Sequence, residues 1–348
     1  MTVSWYTVAV DSLVLALLIA GCAVAQPSLA PVSQTGVPAS LATALVPPAT
    51  TPSLPLPVSP TATPIPPTGV PTIGPQPQLS ASGGGVLAFC SDRSGRPGIY
   101  AMNADGSDQR LVTDNGDASF PAFSPDGARI VYETSAPSSG RINTIKVDGS
   151  GLQQVFARNR SMSDPDWSPD GKQIVFVLHT HQYFSISVME TDGGNLRSLT
   201  RPVTNQINDS PGWSPDGLRI VFSSDRGGDD EIFTMDANGD DVQQLTDNDV
   251  TDYFPAWSPD GSQIAFSSCD NGNWDIYVMD TDGGHVRRLT DNPAKDWQPA
   301  WSPDSTRIAF ASERDGTWDI YTMNADGTQQ QQVTDNEAQD TDPTWRPY

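Results

Sequence analysis

Apolar residues in this chain recur in short alternating runs, and from residue 85 onward these runs follow one repeating order. A full unit reads Phe254-Pro255-Ala256-Trp257, then Ile264-Ala265-Phe266, then Ile276-Tyr277-Val278-Met279, then Arg288-Leu289. Short runs rich in β-branched and aromatic residues, bounded by Gly, Pro and Asp, read as strands. The polar separators are equally regular. Ser-Pro-Asp-Gly starts at 124, 168, 214 and 258, with Ser-Pro-Asp-Ser at 302. In that turn Pro presets φ at the second position, Asp caps the turn, and Gly accepts the positive φ of a bulge. It predicts a tight hairpin between strand A, ending near Trp257, and strand B, centred on Ala265. The Ile276 run is strand C, and the Asp-Gly pair at 282 turns it into strand D.

Four short antiparallel strands, apolar on both faces, cannot bury themselves alone and must stack between neighbours. The repeat distance of 44 to 46 residues lies in the range of a propeller blade. Strand A is marked six times, by Phe123, Trp167, Trp213, Trp257, Trp301 and Trp345. Strand C also starts six times, at Ile99, Ile142, Ile186, Ile232, Ile276 and Ile320. The first copy begins at strand B (Leu87-Ala88-Phe89), and the last copy is a strand A and nothing more. The expectation is an all-β, six-bladed β-propeller over residues 85–348. A C-terminal strand A would pair with the N-terminal B–C–D strands, removing the exposed end blades of an open stack. The unit P-x-W-S-P-D-G-x-x-I-x-F … I-Y-x-M-x-x-D-G … L-T resembles the WD40-like repeat of TolB-type propellers. Departures are Phe123 for Trp, Ile145 for Met, Ser305 for Gly and Arg346 for Ser. The α/β domain that precedes the propeller in TolB is replaced here by a proline-rich segment.

Antiparallel connectivity puts the A–B and C–D turns on one rim and the B–C and D–A connections on the other. The first rim repeats Ser-Pro-Asp-Gly and Asp-Gly, whereas the second varies, from Asp92-Arg93-Ser94-Gly95 to a loop containing His179 and His181. Binding sites favour variable loops on a regular scaffold. The expected ligand-binding rim therefore comprises Asp252, Tyr253, Trp274, Asp296, Trp297, Trp318 and Asp340. Its aromatics could grip a sugar or a protein strand. Trp274 and Trp318 share parity with Ile276 and Ile320, so packing within the blade is the alternative for both. Asp252, Asp296 and Asp340 each stand three residues before a strand-A proline, which suggests a partial acidic ring at the channel mouth.

Ahead of the repeats, Leu13 to Ala20 has the length of a signal-peptide apolar core and is too short for a stable bilayer span. The following Ile19-Ala20-Gly21-Cys22 resembles the lipobox of bacterial lipoproteins. That resemblance implies lipid attachment at Cys22, with residues 1–22 as a signal segment. Ala23-Val24-Ala25 offers the other outcome, cleavage before Gln26 and secretion. Residues 23–84 are rich in Pro, Thr and Ser and hold about half of the chain's 31 prolines. Such a segment lacks periodic apolar residues and is expected to be a disordered, extended stalk.

The formal charge is −23, from 19 basic and 42 acidic residues, and almost all of it lies after Asp92. So acidic a surface argues against nucleic acid, and against anionic lipid apart from an N-terminal anchor. Three cysteines are too few for a disulfide framework, and Cys90 and Cys269 read as small strand residues. Asp236-x-Asn238-x-Asp240 with Asp247 imitates an EF-hand loop, but Asp241 stands where glycine is required. Calcium is thus the one ion the pattern suggests, and the expectation is no cofactor. His179-x-His181 supplies two of the ligands a zinc site needs, with His285 two blades away. No Gly-x-Ser-x-Gly elbow is present, and no catalytic residue stands out. These features together give a monomeric, non-enzymatic binding module at the cell envelope, for a protein or an envelope glycan. The alternatives are a polysaccharide hydrolase or lyase and a Tol–Pal-like envelope role.

Overall fold

The computed structural model describes residues 85–348 apart from 114–116, 137–138, 159, 181 and 202. The expected signal segment, Cys22, the stalk and His181 lie outside the described residues. The chain forms six four-stranded sheets, all built from antiparallel neighbours. Blade 5 shows the pattern: A is Thr251–Trp257, B is Gln263–Asp270, C is Asn273–Asp280, and D is the two-residue Arg287–Arg288. The A strands are Asp340–Trp345, Ala118–Phe123, Met162–Trp167, Asn208–Trp213, Thr251–Trp257 and Asp296–Trp301 for blades 1 to 6. Each A strand packs against the A strands of its two neighbours, so A lies innermost and lines the axis.

Blade 1 closes the ring. Its B, C and D strands are Val86–Ser91, Gly98–Asn103 and Arg110–Leu111, and its A strand is the C-terminal Asp340–Trp345. The register runs from Leu87↔Trp345 to Ser91↔Asp340. The Arg346 amide donates to the Val86 carbonyl at 2.8 Å. The indole Nε1 of Trp345 donates to the Ala300 carbonyl of blade 6 at 3.1 Å. This is the expected closure, and it pairs Val86–Ser91 on both sides.

The core is not one lump but six buried clusters sandwiched between blades. Between blades 4 and 5, for example, Val221 and Ile232 meet Ile264, Phe266 and Met279. Between blades 5 and 6, Ile276 and Val278 meet Trp301, Ile308 and Phe310. Alternation along strands B and C supplies apolar side chains to both faces, which is why one blade satisfies two neighbours.

The Ser-Pro-Asp-Gly turn behaves as its residues dictate. Ser258 Oγ donates to Asp260 Oδ1 at 2.7 Å and accepts the Gln263 amide at 2.9 Å, while Gly261 takes φ +74°. Ser305, which replaces that glycine in blade 6, is held at φ +57°. In the C–D turn Gly283 adopts φ +85° and presses on blade 4. A Cβ there would lie 2.5 Å from the Leu245 carbonyl oxygen.

Candidate functional site

Every A strand carries a proline in its middle, and a mid-strand proline cannot donate to a sheet ladder. The chain answers with a bulge at the same place in all six blades, between residues such as Tyr253 and Ala256 or Trp297 and Ala300. The residue before each proline swings into the left-handed region. These residues are Phe120, Asp164, Ser210, Phe254, Gln298 and Asp342, with φ between +49° and +57°. None is glycine, so each carries local backbone strain, which tends to collect at functional sites. The six line the axial channel as one ring, shared by the cavities on either side of it.

On the B–C/D–A side the ring floors a funnel of about 720 Å³. Its described lining includes Asp92, Asp117, Glu133, Asp164, Asp209, Glu313 and Asp342, and no Lys or Arg. On the Ser-Pro-Asp-Gly side a smaller space of about 300 Å³ is walled mainly by the strand-A prolines and Trp or Ala residues. The funnel is two-sided. Blades 5 and 6 present aromatics in unbroken contact: Tyr253–Phe254 at 4.6 Å, Phe254–Trp297 at 4.9 Å and Trp297–Trp318 at 5.8 Å between ring centroids. Blades 1 to 4 present the carboxylates Asp342, Glu133, Asp164 and Asp209, and Glu313 of blade 6 adds one beside the aromatics.

Two of those carboxylates, Asp164 and Asp342, are pushed toward the protonated form by their surroundings. Burial raises Asp164 well above the ordinary range, and the nearby Asp209 charge raises it further. Burial likewise lifts Asp342 to about 6. Like charges gathered in a poorly solvated place resist full ionisation. Asp209 is fixed by two donors, Tyr253 Oη at 2.6 Å and the Ser210 amide at 2.9 Å. Gln298 clasps Asp342, donating Nε2 to Oδ1 and accepting the Asp342 amide at 3.0 Å. Ser163 Oγ lies 2.8 Å from His179 Nε2, and the His179 ring stacks on Phe184 at 4.1 Å.

The expected rim residues divide into two sets. Tyr253, Trp297 and Trp318 line the funnel, although each is mostly buried. Trp274 sits one layer behind, 1% exposed and edge-on to Trp297 at 5.5 Å. Asp252, Asp296 and Asp340 are at most 1% exposed and do not line the funnel. Strand alternation explains this: Tyr253, Trp297 and Thr341 face the axis, so the residue before each faces away. Asp296 instead binds Arg314, and Asp340 binds Arg93, both at 2.6 Å. The acidic wall thus exists, but other residues build it. Its signal was in the sequence for Asp164 and Asp342, which directly precede strand-A prolines, and for Asp209, two residues before one.

The EF-hand-like stretch is a hairpin: Asp236 and Asp241 receive Arg219, and the Asp240 amide donates to Asn238 Oδ1 at 3.2 Å. Exposed His285 is paired with Asp280 at 2.7 Å, far from His179. Among the described residues no three His, Cys, Asp or Glu side chains gather to hold a metal ion. Cys90 and Cys269 are buried strand residues.

Six stacked blades, a strained ring at the waist and a carboxylate-rich funnel above it define a closed β-propeller with an axial opening. The family model of the TolB beta propeller domain matches residues 119–253 and 248–348, and this chain belongs to that family. The comparison with curated proteins finds no match. Among solved structures, TolB from Acinetobacter baumannii is 21% identical, with a TM-score of 0.67 over 78% of this chain and 68% of that one. The putative TolB from Agrobacterium tumefaciens is 20% identical, with a TM-score of 0.61 over 75% of this chain and 99% of that one. A puromycin hydrolase structure is 18% identical, with a TM-score of 0.54 over 74% of this chain but only 45% of its own. At such identities the likeness concerns the fold alone.

Proposed function

We propose that this chain is an exported, non-enzymatic binding module of the cell envelope that takes a cationic segment of a partner protein into its axial funnel. The observation that carries this reading is the funnel wall: carboxylates mainly on blades 1 to 4, a run of aromatics on blades 5 and 6, and no Lys or Arg among its described lining. A Lys or Arg side chain entering it would meet acceptors and ring faces together. The formal charge of −23 would speed the approach of such a partner at low salt. Family membership favours a protein partner over an envelope glycan. Lipid attachment at Cys22 and the 23–84 stalk complete the proposal, because the stalk would hold a monomeric propeller away from the membrane. At about 3.1 Å per residue it provides ample reach.

A second reading, a polysaccharide-acting enzyme, draws on Asp164 and Asp209. A raised carboxyl beside a hydrogen-bonded carboxylate is the pairing that glycoside hydrolysis uses.

The test is capture from an envelope extract on wild-type protein and on the double variant Asp164→Asn/Asp342→Asn. Binding that is salt-sensitive, lost in the variant and abolished by proteolysis of the extract supports the proposal. Capture that survives proteolysis, or turnover of a glycan that Asp164→Asn abolishes, moves the assignment to the second reading.

A further inference from the structure

The same pair of carboxylates recurs at three blade junctions, but its neutralisation does not. At each junction an acid in the first three residues of strand C lies beside the first or second residue of the next strand A. The pairs are Glu231 with Asp252, Asp275 with Asp296, and Asp319 with Asp340. Thr290 Oγ1 donates to Asp275 and Thr334 Oγ1 to Asp319, and Thr246 is within hydrogen-bond reach of Glu231 and Asp252.

The count of cations differs. Between blades 5 and 6 there are two: Arg288 on Asp275 and Arg314 on Asp296, each at 2.6 Å. Between blades 6 and 1 there is one, Arg93 on Asp340 at 2.6 Å. Between blades 4 and 5 the equivalent positions are Gln244 and Asp270. The shelf for an arginine is still built there. Phe266 and Tyr277 stand 5.8 Å apart, matching Phe89–Tyr100 and Phe310–Tyr321, over which Arg93 and Arg314 lie.

Glu231 and Asp252 are 2% and 1% exposed, so their charge is deeply buried. Asn248 orients both, through its amide to Glu231 Oε1 at 2.7 Å and its Nδ2 to Asp252 Oδ2 at 2.9 Å. The remaining oxygens, Glu231 Oε2 and Asp252 Oδ1, are buried and lack a hydrogen-bond donor. Two bare carboxylate oxygens buried side by side are unstable without a positive charge. The hydroxyls of Thr246, beside both carboxylates, and of Ser268, beside Asp252, add neutral oxygen.

We infer that the junction of blades 4 and 5 is a cation site that takes a hard divalent ion of the calcium type, held by Glu231 and Asp252. Oxygen-only donors, flexible in number and completed by neutral oxygens, select such an ion over a softer transition metal. The ion fills the place that arginines fill at the two sister junctions. The site lies outside the axial funnel and stands independently of what the funnel binds.

The test is thermal unfolding of EDTA-stripped protein titrated with calcium chloride or magnesium chloride at constant ionic strength, slightly above neutral pH. Wild type should gain several degrees with calcium, because a ligand that binds only the folded state stabilises it. Glu231→Gln and Asp252→Asn should weaken the calcium response about tenfold or more. Asp270→Arg restores the sister arrangement without removing a carboxylate. It should fold, melt at or above the stripped wild type, and lose the calcium response. No response in wild type overturns the inference. So does a response that persists undiminished in Asp270→Arg, which would put the ion elsewhere. A wild type that ignores both metals and is stabilised only by mild acid would show that the pair shares a proton instead.

Discussion

Replacing Trp345 by Ala tests closure at the point where the two ends of the chain meet. The Trp345 side chain is 6% exposed and belongs to a cluster that joins blades 5, 6 and 1. Its indole N–H reaches Ala300, and its backbone pairs with Leu87, which is fully buried. Truncating a core tryptophan costs about 3–5 kcal/mol through lost burial and the cavity left behind. For a domain of this size, at about 2–4 °C per kcal/mol, the melting temperature should fall by on the order of 10 °C. The assay is thermal unfolding followed by circular dichroism, with hydrogen exchange read at Val86–Ser91. Exchange there should accelerate more than in the blade 4 strand Arg219–Ser224, which lies across the ring. Deleting residues 341–348 should go further, leaving the inner edge of Val86–Ser91 open and the protein prone to association. If both variants melted like the parent, with Val86–Ser91 still protected, the closure argument would be refuted.

Two other outcomes follow from the packing and the charges. Gly283→Ala should lose about 2–3 kcal/mol in urea unfolding, because the new Cβ meets the Leu245 carbonyl at a positive φ. An unchanged midpoint would show that blade 4 yields easily. Stability should also fall as pH rises from about 5 to 8. Asp166 and Asp342 are raised to about 6, in both cases chiefly by burial. A carboxyl raised in the folded state binds its proton more tightly there, so its stabilisation is complete below the unfolded pKa and lost through the folded one. Asp342→Asn should therefore raise the melting temperature at pH 8 and flatten the pH profile. A melting temperature that climbs from pH 5 to 8 in wild type would contradict the assignment.

The architecture was legible because each repeat states it locally. Ser-Pro-Asp-Gly specifies the A–B hairpin, Asp-Gly the C–D turn, and a lone strand A beside Trp345 the closure. The site was legible only in part. Tyr253, Trp297 and Trp318 reach the funnel as their place on the variable rim suggests. Asp252, Asp296 and Asp340 do not, since strand alternation turns them away from the axis toward the blade junctions. The wall they were expected to form comes from Asp164, Asp209, Asp342 and Glu133. The first three sit at or next to the bulges that the strand-A prolines impose. A bulge shifts the facing of every residue beyond it, so simple alternation counted from the tryptophan misplaces them. The unequal arginine count at the blade junctions was visible as Asp270 in place of Arg93 and Arg314. Its meaning required knowing which carboxylates those arginines meet.

The most direct test of the account compares the two faces of the wheel against one immobilised partner from the envelope capture, by surface plasmon resonance. Trp318→Ala and Asp164→Asn alter the funnel, whereas Asp260→Ala and Asp304→Ala alter the opposite, tight-turn rim. The account predicts that the funnel variants weaken binding about tenfold or more, as expected for the loss of a buried anchor, while the turn variants bind like wild type once their folding is verified. Binding left intact by the funnel variants and lost with the turn variants would place the working surface on the other face.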